Sequence, residues 1–354
     1  MPDVSTTNHN DTRPVADRFA RPLRDLRISL TDRCNFRCTY CMPRHLFGSE
    51  HLFLPRAELL NFDEIERLAR LAAGLGVTKL RLTGGEPLLR RDLDVLVTKL
   101  AAIDGIDDIR LTTNGSLLTA KRARELRTAG INRVTLSLDA IDDDVFKAIN
   151  DVGFPASKVL AAIDNATAAG LGPVKVNCVI QRGVNEHQIL PMVEQFRHTD
   201  VVLRFIEFMD VGTSNGWRMD DVVPARDIVE YVRTRYAISR LPATAPGETA
   251  NRWMFDDGAG EIGIIASVSQ PFCGGCTRAR LSAIGELYTC LFGVHGHDIR
   301  GPMRAGATDA ELSDRLAGIW RDRDDRYSEI RGQETANRRG TDADGKVEMS
   351  YIGG

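Results

Sequence analysis

Between residues 26 and 208 the chain alternates short apolar, β-rich runs with longer stretches of helical spacing. The runs fall at 26–30, 78–83, 109–113, 133–138, 174–181 and 201–208. The helical stretches fall at 62–75, 88–102, 119–129, 157–169 and 185–196, where apolar positions recur every three or four residues. Gly74, Gly130 and Gly170 sit at expected helix ends, where glycine accepts a left-handed backbone. This alternation predicts a parallel sheet wrapped by helices. About six units fall short of the eight that close a barrel, so the expected fold class is α/β, a partial (β/α)6 TIM-like barrel. Chemistry is then expected at the C-terminal ends of the strands.

After about residue 215 the rhythm changes. A helix is expected at 225–236, a Pro/Gly-containing link at 241–250, hairpins turning near 256–260 and 283–286, and a charged helix at 309–320. The expected organisation is a flexible tail over residues 1–22, the barrel over 23–215, and a C-terminal α+β extension over 216–354. The chain has 354 residues, 43% hydrophobic and 27% charged, which excludes a wholly disordered chain or a fibre. A net charge of -3 provides no global field for nucleic acid, and no nucleic-acid partner is expected. No apolar run approaches the roughly 18–20 residues that span a membrane, and the N-terminus has no apolar signal region. The expected compartment is the cytosol.

Seven cysteines in a cytosolic chain point to metal ligands or redox groups. Residues 31–43 read TDRCNFRCTYCMP, spacing Cys34, Cys38 and Cys41 as C-x3-C-x2-C directly after the first strand. Three thiolates on a four-iron cluster leave one iron open for another ligand. A zinc loop completed by His45 or His51 is the alternative. TGGEP at 83–87 ends the second run; its paired glycines permit close backbone approach, and Glu86 offers an acceptor for an ammonium group. Ser137 ends the fourth run and Met209 the sixth. A second triad, Cys273, Cys276 and Cys290, is spaced C-x2-C-x13-C. Its spacing fits zinc, with His295 or His297 as fourth ligand, as well as iron–sulfur. Between these cysteines, Arg278-Ala279-Arg280 reads either as a phosphate site or as a solvated basic turn. Cys178 sits in an apolar strand and reads as a small buried hydrophobe.

The cysteine loop with its aromatic Tyr40, together with TGGEP, resembles the radical S-adenosylmethionine superfamily. Taken with LTTNG, TLSLDA, RFIEFMDVG, FCGGCTRARLS and the closing YIGG, it resembles the GTP 3′,8-cyclase family, which opens molybdenum cofactor biosynthesis. The likeness runs from about Leu23 to Gly354. It implies two [4Fe-4S] clusters, the second in the C-terminal extension, and S-adenosylmethionine contacts at Tyr40, Gly84, Gly85, Glu86, Ser137 and Met209. It implies GTP contacts at Arg27, Arg81, Thr112, Lys175, Arg278, Ala279 and Arg280, with Lys79, Thr83 and Arg204 as further candidates. It implies that Gly353 and Gly354 reach the active site. The implied reaction begins with reductive cleavage of S-adenosylmethionine. The resulting radical removes hydrogen from C3′ of GTP, and the ring closes at C8. Also implied are a homodimer, a flavodoxin-type low-potential electron donor, and hand-off to cyclic pyranopterin monophosphate synthase. Rival readings are another radical enzyme with an auxiliary cluster, acting on peptides, and a zinc-stapled interaction protein.

Overall fold

The computed structural model describes residues 14–245, 247–331 and 346–353. The six expected strands form: β1 Asp25–Ser29, β2 Lys79–Thr83, β3 Asp108–Thr113, β4 Arg133–Ser137, β5 Lys175–Ile180 and β6 Val202–Glu207. They lie side by side in chain order, parallel, in a single 12-stranded sheet. Helices α1 Phe62–Gly74, α2 Leu93–Ala101 and α3 Ala120–Ala129 return the chain between the first four strands. α1 starts on a reciprocal cap between Asn61 and Glu64, and α3 on the Thr119 hydroxyl. α2 begins five residues later than the spacing predicts. Pro87–Leu89 closes a separate 3₁₀ turn, and Asp92 takes a left-handed backbone (φ 56°) before the helix starts.

α4 Asp143–Asn150 was not anticipated. It is eight residues long, with too few turns for a clear periodic stripe; its start is fixed by Asp142, which accepts from the Asp144 and Val145 amides. α5 Ala156–Ala168 and α6 Ile189–Phe196 complete the barrel helices, α6 after a 3₁₀ turn at Glu186–Gln188. Gly130 and Gly170 are left-handed as expected, but Gly74 is the last helical residue of α1, and the positive φ (106°) falls to Gly76.

Further elements are α7 Ala225–Arg233, β7 Ile238–Arg240, β8 Asn251–Phe255, β9 Glu261–Ile265, β10 Arg278–Leu281, β11 Glu286–Tyr288, β12 His297–Asp298, α8 Arg300–Arg304, α9 Asp309–Arg321 and the short α10 Met349–Ile352. Both expected hairpins are present, β8–β9 and β10–β11. β10 adds parallel to β1, and β9 adds parallel to β6. Eight parallel strands therefore run in sequence, flanked by antiparallel β11–β12 on one side and β8–β7 on the other. Residues 14–22, expected as tail, are packed: Val15 bonds to Leu75 and Leu23, and Asp17 is buried. Residues 1–13 lie outside the described residues. Among the described residues, no helix is long and apolar enough to cross a membrane.

Candidate active site

β1 ends at Ser29 and the chain turns at once into the loop carrying Cys34, Cys38 and Cys41. TGGEP holds that turn. The Gly85 amide donates to Thr31 O and the Glu86 amide to Arg33 O, each at 2.8 Å. A Cβ on Gly85 would sit 2.3 Å from Arg33 O, and one on Gly84 (φ +140°) 2.5 Å from Thr31 O. The paired glycines thus let the cysteine loop lie against the β2 exit, as well as lining the cavity below it. Glu86 is held between the β2 and β3 exits. Its carboxylate is fully buried, lies outside the cavity lining, and accepts from Leu88 N (3.0 Å), Thr113 Oγ1 (2.7 Å) and Asn114 N (2.7 Å). Burial pushes it up to about 7 against the pull of those three bonds. Glu86 therefore knots the β2 and β3 exits together, with Oε2 taking only the Asn114 amide.

Both cysteine triads line a single cavity of about 270 Å³. Tyr40, Gly84, Gly85, Ser137 and Met209 line it, as do Arg27, Arg81, Thr83, Thr112, Arg204, Arg278 and Arg280. The Tyr40 hydroxyl donates to Asp139 Oδ2 at 2.9 Å, and Asp139 Oδ1 accepts from Val179 N at 2.8 Å. The lining residues missed in the sequence include Asp139, Asn114, Asn177, Arg323 and Asp325. Asn114 and Asp139 lie just beyond β3 and β4, where position at the strand ends was the available signal, whereas Asn177 lies within β5. Asn114 Nδ2 lies 3.7 Å from Cys34 Sγ, and Asn177 Oδ1 is buried without a partner among the described residues.

Lys79 and Lys175 do not line this cavity but an adjoining one of about 160 Å³, at the opposite, N-terminal ends of the strands. The two cavities share Arg27, Arg81, Arg204 and Arg278. Arg110 and Arg133 also face the second cavity and were missed; the register brings Arg81, Arg110 and Arg133 level on β2, β3 and β4. Against these eight cations the lining offers only Asp25 and Glu248. Asp108, behind the wall, pairs with Arg110 and Arg133. Burial and the neighbouring guanidiniums push Lys175 down to about 8 and hold Arg27 and Arg81 below the usual arginine range. Crowded, partly desolvated cations of one sign are relieved by a multivalent anion.

Of the second triad, Cys273 opens a 3₁₀ turn at Cys273–Gly275, Cys276 follows that turn just before β10, and Cys290 follows β11. Burial opposes ionisation of Cys276, but Arg278 and Arg323 outweigh it and hold the thiol down to about 6. On β10, Arg278 and Arg280 face the cavities, while Ala279 between them packs into the core as strand alternation requires. The closing segment enters the same space: Met349 and Ser350 line the cavity, and the Gly353 carbonyl accepts from Arg280 Nη1. A Cβ on Gly353 would meet Thr83 Cγ2 at 2.1 Å, so only glycine fits there. Gly354 lies outside the described residues. His295 and His297 are exposed and do not line the cavity with Cys290, and neither does His45 or His51. His51 packs between Phe47 and Phe53, with ring centroids 4.6 Å apart on each side.

The donor sets suit iron–sulfur clusters. Burial and the Glu86 carboxylate push the Cys34 thiol up to about 11, and burial drives Cys38 and Cys41 up as well. Such thiols ionise when a metal displaces their protons. No three His, Cys, Asp or Glu side chains among the described residues converge as one metal ion would require. In a multi-iron cluster each thiolate binds a different iron, so convergence on one point is not needed. Cys178 is buried in β5, as expected, with its thiol 3.5 Å from the Asp139 carbonyl.

Comparison with known proteins adds three findings. Residues 28–196 match the family model of the radical SAM superfamily, and residues 201–329 that of Molybdenum Cofactor Synthesis C. The chain is 51% identical to a GTP 3′,8-cyclase from Acidothermus cellulolyticus, across 97% of this chain and 100% of that one. It is 50% identical to GTP 3′,8-cyclases of Staphylococcus aureus and Staphylococcus saprophyticus, across 96% of this chain and 99% of theirs. Among solved structures, Streptococcus suis SuiB bound to S-adenosylmethionine aligns with TM-score 0.60 at 16% identity, covering 90% of this chain and 68% of that one, a likeness of fold.

Proposed function

The chain belongs to the GTP 3′,8-cyclase family of the radical S-adenosylmethionine superfamily, and from that premise we propose that it converts GTP to 3′,8-cyclo-7,8-dihydro-GTP. The observation that carries the reading is the adjoining of two spaces: a cavity lined by both cysteine triads, and a cationic chamber sharing four arginines with it. A nucleoside triphosphate has this polarity, a flat base at one end and several negative charges at the other.

The family brings S-adenosylmethionine and a [4Fe-4S] cluster. Cluster and S-adenosylmethionine together supply the radical that takes hydrogen from C3′ of the GTP ribose. Cys34, Cys38 and Cys41 are the residues to hold that cluster, with Asn114 turned toward the Cys34 sulfur. Tyr40, Gly84, Gly85, Ser137 and Met209 surround the S-adenosylmethionine space. Glu86 supports that space by fixing the strand exits, and Oε2 keeps acceptor capacity for an ammonium group. Cys273, Cys276 and Cys290 are the residues that would hold a second cluster. Arg278 and Arg280 stand next to it, with Ala279 contributing backbone alone. Lys79, Lys175, Arg27, Arg81 and Arg204 take the triphosphate, joined by Arg110 and Arg133. Thr112 orients Arg81, accepting from its Nη1 at 3.2 Å. The positioned cations supply electrostatic stabilisation. A homodimer, a flavodoxin-type donor and hand-off to cyclic pyranopterin monophosphate synthase belong to the same reading.

The test is anaerobic. The protein is reconstituted with iron and sulfide, reduced, and given S-adenosylmethionine with GTP, ATP or no nucleotide. GTP-dependent 5′-deoxyadenosine and a new GTP isomer, both by mass spectrometry, are the expected result. Equal 5′-deoxyadenosine without GTP, and no isomer, would remove the cyclase assignment.

A further inference from the structure

Residues 15–25 run behind the second cysteine loop and bind it through buried charge. Asp17 Oδ2 accepts from Arg21 Nε at 2.6 Å and from Arg323 Nη1 at 3.1 Å. The three side chains are 0%, 3% and 2% exposed. Both guanidiniums then reach the cysteine loop. Arg21 Nη1 donates to the carbonyls of Cys273 and Asp325, each at 2.9 Å, and Arg323 Nη1 donates to the Cys276 carbonyl at 2.9 Å. Asp325 Oδ2 accepts from Arg323 Nε at 3.3 Å, and both residues line the cavity that the cysteines face. Trp320 closes the arrangement from below. Its indole N–H donates to Arg21 O at 3.1 Å, and its ring lies 4.6 Å under the Arg323 guanidinium.

Burying two guanidiniums and a carboxylate is costly, and for holding a fold an apolar core of similar volume does as well or better. Buried ions aimed at the backbone of ligand residues do something an apolar core does not: they fix the loop's register and set the charge beside the metal centre. Positive charge and hydrogen bonds near an iron–sulfur cluster favour its reduced form.

We propose that Asp17, Arg21 and Arg323 are positioning residues of the second cluster. They hold the Cys273 and Cys276 backbones in place for ligation, and they keep cationic charge beside the cluster so that it accepts an electron more readily. The inference rests on the reading of Cys273, Cys276 and Cys290 as cluster ligands, and it gives the N-terminal segment a part in the active site.

The test uses the reconstituted full chain and two readouts besides turnover: iron and sulfide retained against a chelator, and the midpoint of each cluster in a dithionite titration followed by electron paramagnetic resonance. Arg323→Gln is expected to shift the second cluster's midpoint to more negative potential and leave the first unchanged. Arg323→Lys keeps the charge but loses the forked bonding, so the midpoint stays near that of the unsubstituted protein while iron loss from the second cluster quickens several-fold. Asp17→Asn is expected to speed that loss further. Should Asp17→Asn fail to fold, the Arg323 pair still decides. Unaltered midpoints and unaltered iron retention in both Arg323 variants would overturn the proposal. Iron for only one cluster in the unsubstituted protein, unchanged by Cys276→Ser, would instead overturn the ligand reading beneath it, and the proposal with it.

Discussion

Lys175 carries a charge where burial and four arginines oppose it, and its ammonium is pushed down to about 8. A bound triphosphate favours the charged form, so binding above that pH must take up a proton. GTP affinity is therefore expected to fall as pH rises through about 8. Lys175→Met should weaken binding by at least about tenfold, ~1.4 kcal/mol, and flatten that pH profile. Anaerobic titration calorimetry between neutral and alkaline pH checks both. Glu86 illustrates the opposite demand, an anion enclosed by donors. Glu86→Gln places an amide against donors already committed to the carboxylate, and should destabilise the fold by about 1–3 kcal/mol. Thermal unfolding measures it. Because burial raises Glu86 to about 7, its contribution is fullest below the ordinary carboxylate range and is lost as pH rises toward 7. The stability difference between wild type and Glu86→Gln should shrink along the same path. The residue types of the site were legible from GGEP, VKVN and CTRAR. The direction of the Glu86 carboxylate was not, because Thr113 and Asn114 reach it from another strand.

At the scale of elements, the meeting of the cysteine loop and the TGGEP turn is the tightest backbone contact of the site. Gly85→Ala places a Cβ 2.3 Å from Arg33 O, which only a shift of the loop can relieve. A displacement of about 1 Å at a reacting centre costs on the order of a hundredfold in rate. Gly85→Ala should slow 5′-deoxyadenosine formation by about that factor and lower first-cluster iron, while the second cluster's iron stays. Iron quantification and a single-turnover assay check this. Strands and long helices were legible because each buries one face with a regular period. α4 and the 3₁₀ turns were not, since their boundaries depend on caps and left-handed residues such as Asp142 and Asp92.

At the scale of the whole molecule, the C-terminal strands finish both edges of the barrel. β10 covers β1 and β9 covers β6, each with parallel pairing. A chain ending at residue 215 would leave both edges open over an apolar interior. It should be recovered as aggregate, or as an expanded species with weak amide protection, by size exclusion and hydrogen exchange. The same wrap brings Cys273, Cys276 and Cys290 to the N-terminal ends of the strands, across the cavity from the first triad, and seats Gly353 against Thr83. The active site is therefore not a barrel with an added lid, but a space that neither half encloses alone.

The amino-acid order by itself determined the parallel strand–helix frame, the two cysteine triads and the identity of most cations around the cavity. Periodicity and short-range spacing are local properties, and a chain carries them openly. Only the tertiary structure decided that Arg21 would reach Cys273, 252 residues away, that Lys79 and Lys175 would share a chamber with Arg110 and Arg133, and that β9 and β10 would join opposite edges of one sheet. Those pairings follow from burial and strand register across long loops, where many partners match locally and the packed whole selects one.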